Sequence, residues 1–254
     1  MQFKAFLINL DSSVKRFNFM QSQCEDLKLD IERISAVKGS DLTEEEKQRI
    51  YDQKTNETSY DSQLTDGELG CYLSHIKCWE KIVQDQLDFA LILEDDAKID
   101  VSIHAYIKHL SSLLPHWDYI ELSHGRRVRP YQQATYLDDQ LKLVVRNKIN
   151  STTAGQLVSY QGAKKLLKHA LPIKRPVDID LQYWYEKSLQ CFSVDPFPVC
   201  SAGFDSDISR MGRQKSRSNL FKRLYIQSKH RFLLHKYRKQ LSLNQFTDLK
   251  ATLS

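Results

Sequence analysis

The stretch Asp88-Phe89-Ala90-Leu91-Ile92-Leu93-Glu94-Asp95-Asp96 constrains this chain more than any other. Its apolar run reads as a buried strand, and it ends in three consecutive carboxylates. Burying even one unpartnered carboxylate costs several kcal/mol, so the triplet has to sit where the strand leaves its sheet. In open α/β sheets that is the edge at which ligands bind. Adjacent hard oxygen donors suit Mg²⁺ or Mn²⁺, ions that often hold substrate phosphates. The first expectation is a divalent-metal phosphate site at a strand end. The plainer alternative is a solvated acidic turn.

The flanking sequence extends this to an α/β fold. Residues 4–9 read as a buried strand, and Ser12 or Ser13 can cap the helix that follows. Phe17, Met20, Cys24 and Leu27 give that helix its apolar stripe. Residues 31–36 form a second strand, which makes a βαβ unit with parallel strands. A short helix is predicted over 42–51 and a surface loop over 54–63. Thr65 followed by Glu68 is a capping-box pattern. Leu69, Leu73, Ile76, Trp79 and Ile82 then repeat at helical spacing, and this helix feeds the strand that carries the carboxylates. Beyond them, helices are predicted over 102–114, 161–170 and 177–189. Strands are predicted over 117–122, 134–137, 141–146 and 153–160, with 191–194 as the last. Gly155 within a strand marks a point where a ligand or another backbone comes close.

Composition narrows the classes. The chain has 254 residues, 41% hydrophobic and 27% charged, which is ordinary for a globular protein. Its apolar runs fall short of the roughly twenty residues of a spanning helix, and no leader pattern is convincing. The expectation is a cytoplasmic protein. The five cysteines are odd in number and form no CxxC pair, which argues against a disulfide framework or a zinc site. Neither a GxxxxGK[ST] loop nor a GxGxxG motif occurs, which disfavours P-loop enzymes and dinucleotide dehydrogenases.

Charge divides the chain. Residues 208–247 contain eleven Lys or Arg and no Asp or Glu, so a net charge of +5 leaves the rest at −6. Residues 1–207 read as the domain and 208–254 as a basic helical tail. Leu220, Phe221, Leu224, Tyr225 and Phe232 are interleaved with the cations. A basic amphipathic helix of this kind can lie on an anionic membrane, each cation adding about 1 kcal/mol. A tail docked on its own domain is the alternative. Nucleic acid is not expected, because basic and aromatic residues alone are a loose signal.

Several single residues stay open on spacing alone. His75 shares a helix face with Glu68 and either lines a site or meets water. Asp178 and Asp180 sit two apart after Pro176, so at most one faces a given site, and either could instead favour the helix N-terminus. Arg16 and the Arg126, Arg127 and Arg129 cluster could contact an acidic substrate or be solvated.

Taken in order, several segments resemble glycosyltransferase family 25, the lipooligosaccharide-type transferases. They are Ile8-Asn9-Leu10-Asp11 with Arg16, Gly67-Glu68-Leu69-Gly70-Cys71-Tyr72-Leu73-Ser74-His75 with Trp79, and Leu93-Glu94-Asp95-Asp96-Ala97. Thr153-Ala154-Gly155, Gly162-Ala163 and Pro176-Val177-Asp178 continue the series. Thr152 and Gln156 depart from the Gly and Tyr the family often carries there, which leaves the sugar open. The resemblance implies a GT-A-like, Rossmann-type mixed sheet flanked by helices. It also implies transfer of galactose from UDP-galactose, with inversion, to a lipooligosaccharide or lipopolysaccharide acceptor. Mn²⁺ or Mg²⁺ would be the cofactor, bound by Asp95 and Asp96. Asp178 would be the catalytic base, with Asp180 second. Asn9, Leu10, Arg16, His75, Glu94, Asp95 and Gly155 would bind the donor. A lipid-linked acceptor would suit a basic tail on the inner face of the cytoplasmic membrane. The competing readings are a glucosyl- or N-acetylhexosaminyltransferase, a metal-dependent phosphoesterase, and a non-catalytic membrane-binding module.

Overall fold

A computed structural model describes residues 1–125, 128–204, 220–243 and 246. Strand β1 (Phe3–Asn9), helix α1 (Val14–Asp26) and strand β2 (Ile31–Ser35) form the expected parallel βαβ unit. Strand β3 (Phe89–Glu94) lies parallel to β1 on its other side. Ala5 to Ile8 and Phe89 to Leu93 are buried without interruption. That is the mark of strands covered on both faces. The expected α/β class, with a mixed sheet flanked by helices, is what the chain forms.

The sheet continues through antiparallel β8 (Gly155–Ser159) to β5 (Tyr119–Glu121), β9 (Cys191–Asp195), β7 (Lys142–Arg146) and β6 (Tyr131–Tyr136). Its strand order is β2-β1-β3-β8-β5-β9-β7-β6. A separate ribbon pairs β4 (Ala97–Ile99) with β10 (Val199–Ser201). The sequence pattern missed this ribbon, since three-residue strands carry too little alternation to be read.

Helix α4 (Asp66–Gln84) starts with the predicted capping box. The Glu68 N–H donates to Thr65 Oγ1 at 3.2 Å, and the Thr65 N–H donates to Glu68 Oε2 at 2.8 Å. The helix is buried well beyond its apolar stripe, Ser74 and His75 included. It is held between the sheet and helices α6 (Tyr160–Ala170) and α7 (Val177–Leu181). This burial takes His75 out of contact with water.

Three other expectations change. Residues 54–63 are not simply a loop, because helix α3 (Gln53–Ser59) lies there, capped by Asp52 accepting from the Thr55 N–H at 2.9 Å. Its buried Asn56 anchors it by donating to the Lys174 carbonyl at 2.9 Å. The segment 177–189 breaks after α7 into a 3₁₀ turn, Trp184–Lys187, that ends on Ser188 in the left-handed region. Finally, helix α8 (Leu220–Tyr237) packs on the domain. His230 stacks on Tyr183 at 4.1 Å, Tyr237 stacks on Tyr185 at 5.1 Å, and Leu234 is buried. Past the helix, buried Phe246 packs edge-on against Phe192 of β9. The described part of the basic segment thus returns to the core. Among the described residues, no helix is long and apolar enough to cross a membrane.

Candidate active site

Strands β2, β1 and β3 run parallel; the chain passes from β1 to β2 on one side and then crosses back over β1 to β3 on the other. Such a switch point opens a crevice at the carboxyl ends of the strands. A cleft of about 800 Å³ lies there, lined by Asn9 and Leu10 after β1, Val37 and Lys38 after β2, and Glu94, Asp95 and Asp96 at the end of β3. Arg16 of α1 and Gly67, Cys71 and Ser74 of α4 complete the wall. Two glycines let α4 approach the loop after β2. A Cβ on Gly39 would overlap the Asp66 carbonyl, and one on Gly70 would overlap the Val37 carbonyl.

The three carboxylates are held differently. Glu94 Oε1 accepts from Thr153 Oγ1 at 2.5 Å and lies 3.1 Å from His75 Nε2. Gln156 Nε2 lies 3.0 Å from His75 Nδ1, an arrangement that leaves the ring proton on Nε2, facing Glu94. Burial pushes Glu94 up, but the hydrogen bonds from His75 and the Thr153 hydroxyl counter it, and the group is held below its ordinary value. Asp95 accepts from Asn9 Nδ2 at 2.7 Å and from Arg16 at 3.2 Å. Asn9 is itself fixed by Arg33, whose Nε donates to Asn9 Oδ1 at 3.0 Å. Burial nonetheless leaves Asp95 above its ordinary value.

Asp96 is the exception. Its Oδ1 is buried and has no hydrogen-bond partner among the described residues. Burial first, then the charges of Glu94 and Asp95, push its carboxyl up to about 6. An orphaned, ionisable oxygen in an acidic crevice is what a hard cation would satisfy. Cys71, His75 and Glu94 also bring ligand atoms within 4.8 Å of one another. There the His75–Glu94 hydrogen bond already accounts for the contact, and burial holds the Cys71 thiol well above its ordinary value. Hard cations prefer the carboxylate to such a thiol.

The second acidic site resolves into two unlike residues. Asp180 is buried, and Tyr72 of α4 donates to it at 2.8 Å, Arg175 at 2.9 Å and Lys187 at 2.8 Å. Burial raises its pKa, but Lys187 and Arg175 prevail and hold it below the ordinary carboxylate value. Arg175 also bonds Glu186 and stacks 3.6 Å from the centre of the Tyr183 ring. With its oxygens occupied this way, Asp180 is a structural ion-pair residue, which corrects the expectation that it backs up the base. Asp178 is half-buried. After burial, the Cys71 thiol is raised by Glu94, Asp178, Glu68 and Asp96 in turn, so Asp178 belongs to the field of the cleft.

The structure brings together Asn9, Leu10, Arg16, Glu94, Asp95 and Asp96 at the cleft. His75 lies behind it, supporting Glu94. Gly155 does not face the cleft wall: a Cβ there would sit 2.8 Å from Val199 Cγ2, so its missing side chain makes room for β10 and not for a donor. Gln156, the departure from the family pattern, is buried beneath His75. Of the arginine cluster, Arg126 and Arg127 lie outside the described residues. Sequence reasoning missed Thr153 as a Glu94 partner, Lys38 in the wall, and Tyr72 and Arg175 around Asp180. Thr153 reaches Glu94 across 59 residues and Tyr72 reaches Asp180 across 108, spans that no local pattern signals.

Fold and crevice define an α/β protein with an acidic ligand site at a switch point. A family model described as "Glycosyltransferase family 25 (LPS biosynthesis protein)" matches residues 2–181. The chain belongs to this family. It is 30% identical over 179 residues to a glycosyltransferase 25 family member of Drosophila pseudoobscura, covering 69% of this chain and 28% of that protein. Procollagen galactosyltransferase 1-B of Xenopus laevis is 28% identical over 80% of this chain and 36% of its own length. Procollagen galactosyltransferase 2 of Homo sapiens is 25% identical over 76% of this chain and 34% of its own length. The chain thus spans about a third of these relatives. A solved glycosyltransferase "involved in the glycosylation of the major capsid of PBCV-1" aligns with a TM-score of 0.43 at 9% identity, covering 83% of this chain and 97% of that one.

Proposed function

We propose that the protein is an inverting galactosyltransferase that uses UDP-galactose and a lipooligosaccharide- or lipopolysaccharide-type saccharide acceptor. The family membership, the lipopolysaccharide description of the family and the galactosyltransferase names of relatives support this reading. The observation that carries it is the cleft at the strand ends, where Asp96 has an oxygen without a partner among the described residues and shares the wall with Glu94, Asp95 and Arg16.

In the reaction, an acceptor hydroxyl oxygen bonds to C1 of galactose while the bond from C1 to the UDP oxygen breaks. The electron pair leaves on UDP. Asp178 takes the hydroxyl proton, the role of a general base. Arg16, oriented through Asp95, contributes positive charge on the donor side. A Mn²⁺ or Mg²⁺ ion held by Asp96, with Asp95 beside it, would offset charge on the diphosphate. Asn9 and His75 act through Asp95 and Glu94, which they hold in place.

Helix α8 fits a protein working on the cytoplasmic face of the membrane. Opposite its docked face, Tyr225 is 65% and Phe232 67% exposed, with Leu224 nearby and Lys222 and Lys229 on the same helix. An apolar ridge among cations suits an anionic lipid surface.

The test is a donor screen that reads released UDP, with and without Mn²⁺, in the presence of a deacylated lipooligosaccharide acceptor. Acceptor-dependent UDP release is expected with UDP-galactose, and less with UDP-glucose or UDP-N-acetylhexosamines. Release that needs no acceptor, or preference for a different sugar, refutes the assignment.

A further inference from the structure

A second cavity, of about 1120 Å³, lies between α8 and the domain. Its charge is one-sided. Arg129, Lys148, Arg223 and Arg231 line it, against the single carboxylate of Asp61. Asp61 sits 3.5 Å from Arg223. The side chains of Arg129, Lys148 and Arg231 make no ion pair among the described residues. Arg129 and Arg231 are exposed and Lys148 is half-buried; three cations facing one space repel one another, and an anion between them would relieve that repulsion.

Two buried polar groups at the same cavity lack partners among the described residues. His230 is 4% exposed, and its Nε2 is one of them. Its Nδ1 lies 3.3 Å from the Tyr185 hydroxyl, which can donate to it and so leave the ring proton on Nε2. Gln182 is fully buried; its Nε2 donates to Ser151 at 2.8 Å, while its Oε1 has no partner among the described residues. The electrostatics agree. Burial, then Arg129 and Arg231, bring Lys148 down to about 8, and burial with Lys148, Arg175 and Arg129 brings His230 down to about 3.

The position is informative. Ile179 and Gln182 line the cavity from the short segment that carries Asp178. The charge of Asp178 is felt at Lys148 here and at Cys71 in the acidic cleft. Asp178 therefore stands between an acidic crevice and a basic one.

We propose that the basic cavity is an acceptor subsite that takes a phosphate group carried by the saccharide acceptor, with Arg129, Lys148 and Arg231 as its cations and His230 Nε2–H as a buried donor. This rests on the sugar-transfer reading for its word "acceptor", but not for the anion site itself. A phosphate held there would seat the sugar with a hydroxyl toward Asp178.

The test is isothermal titration calorimetry of the full chain, without divalent metal, using inorganic pyrophosphate and, separately, UDP. Wild type should bind pyrophosphate, and K148Q/R231Q should bind it at least tenfold more weakly, since charge-assisted contacts dominate such sites. R129Q, on an exposed segment that cannot compromise folding, should lose affinity in the same direction. UDP affinity should be unchanged in all three proteins, and Asp96→Asn should leave pyrophosphate binding intact. Unchanged pyrophosphate affinity in both cavity variants overturns the proposal. So does a parallel loss of UDP affinity, which would give the cavity to the donor diphosphate. In the last arm, pyrophosphate at matched ionic strength should not displace wild type from phosphatidylglycerol vesicles; displacement assigns the cavity to a lipid headgroup and overturns the saccharide reading. All of these readouts stand whether or not UDP-galactose proves to be the donor.

Discussion

Asp96→Asn should make the metal-free protein more stable while removing its cation site. The carboxyl is pushed to about 6 from an ordinary 3.8, chiefly by burial and then by Glu94 and Asp95. Each pKa unit corresponds to about 1.4 kcal/mol, so holding Asp96 ionised costs the native state up to about 3 kcal/mol. Asp96 is partly exposed, and water screening brings the expected gain to about 1–3 kcal/mol. For a chain of this size that is roughly 3–10 °C in Tm. The sign follows from a folded pKa above the unfolded one. Below pH 3.8 both states are protonated and the penalty is absent; it builds between 3.8 and about 6 and is complete above. The assay is thermal unfolding of both proteins in EDTA from pH 4 to 8. The Asn variant should gain steadily on wild type as pH rises to 6 and then hold a constant lead. Millimolar Mn²⁺ should then raise the Tm of wild type and not that of the variant, because a ligand stabilises only the state that binds it. An Asn variant no more stable than wild type at pH 7.5 in EDTA would show that Asp96 is not a strained, unpartnered charge, and the argument for a cation there would go with it.

The two aspartates of α7 should separate cleanly. Asp178→Asn should lower kcat by about 10²–10⁴ with little change in Tm, as loss of a general base does, measured by UDP release and thermal unfolding. Asp180→Asn should instead cost about 3–5 kcal/mol in urea unfolding, because Lys187 is left buried without its counter-charge and Arg175 keeps only Glu186. The contribution of Asp180 is present at neutral pH and lost as pH falls through its lowered pKa, so the gap between wild type and variant should close in acid. Gly155→Ala should cost about 1–3 kcal/mol by overpacking against Val199, and Val199→Ala on top of it should recover part of the loss in denaturant unfolding. Tyr225→Ser with Phe232→Ser should weaken sedimentation with phosphatidylglycerol vesicles several-fold at unchanged Tm, since both rings are exposed; a vesicle affinity equal to wild type would remove the membrane reading of α8.

Local patterns were legible wherever the chain obeyed one period or one local bond. The run of Phe89 to Leu93 ending in carboxylates and the Thr65–Glu68 capping box each depend on residues a few positions apart. For the same reason the acidic crevice was readable: a charged triplet cannot remain inside a strand. What resisted reading were contacts across the chain. Spacing placed His75 on a polar face, but that face meets β3 and β8 of the sheet, which turn the residue into a buried strut between Glu94 and Gln156. Residues 208–254 read as a tail because their charge pattern is local, yet Leu234 and Phe246 are spent on the domain core.

The chain on its own determined the α/β class, the first βαβ unit and the buried strand that ends in carboxylates, because strand burial and helix capping are settled by neighbours in sequence. Tertiary structure alone decided which carboxylates are spent and which are available. Asp180 is neutralised by Arg175 and Lys187, Asp95 is tied to Asn9 and Arg16, and Asp96 keeps an oxygen without a partner among the described residues. The energy of a buried charge depends on what lies within a few ångströms of it, and folding brings those groups in from distant parts of the chain.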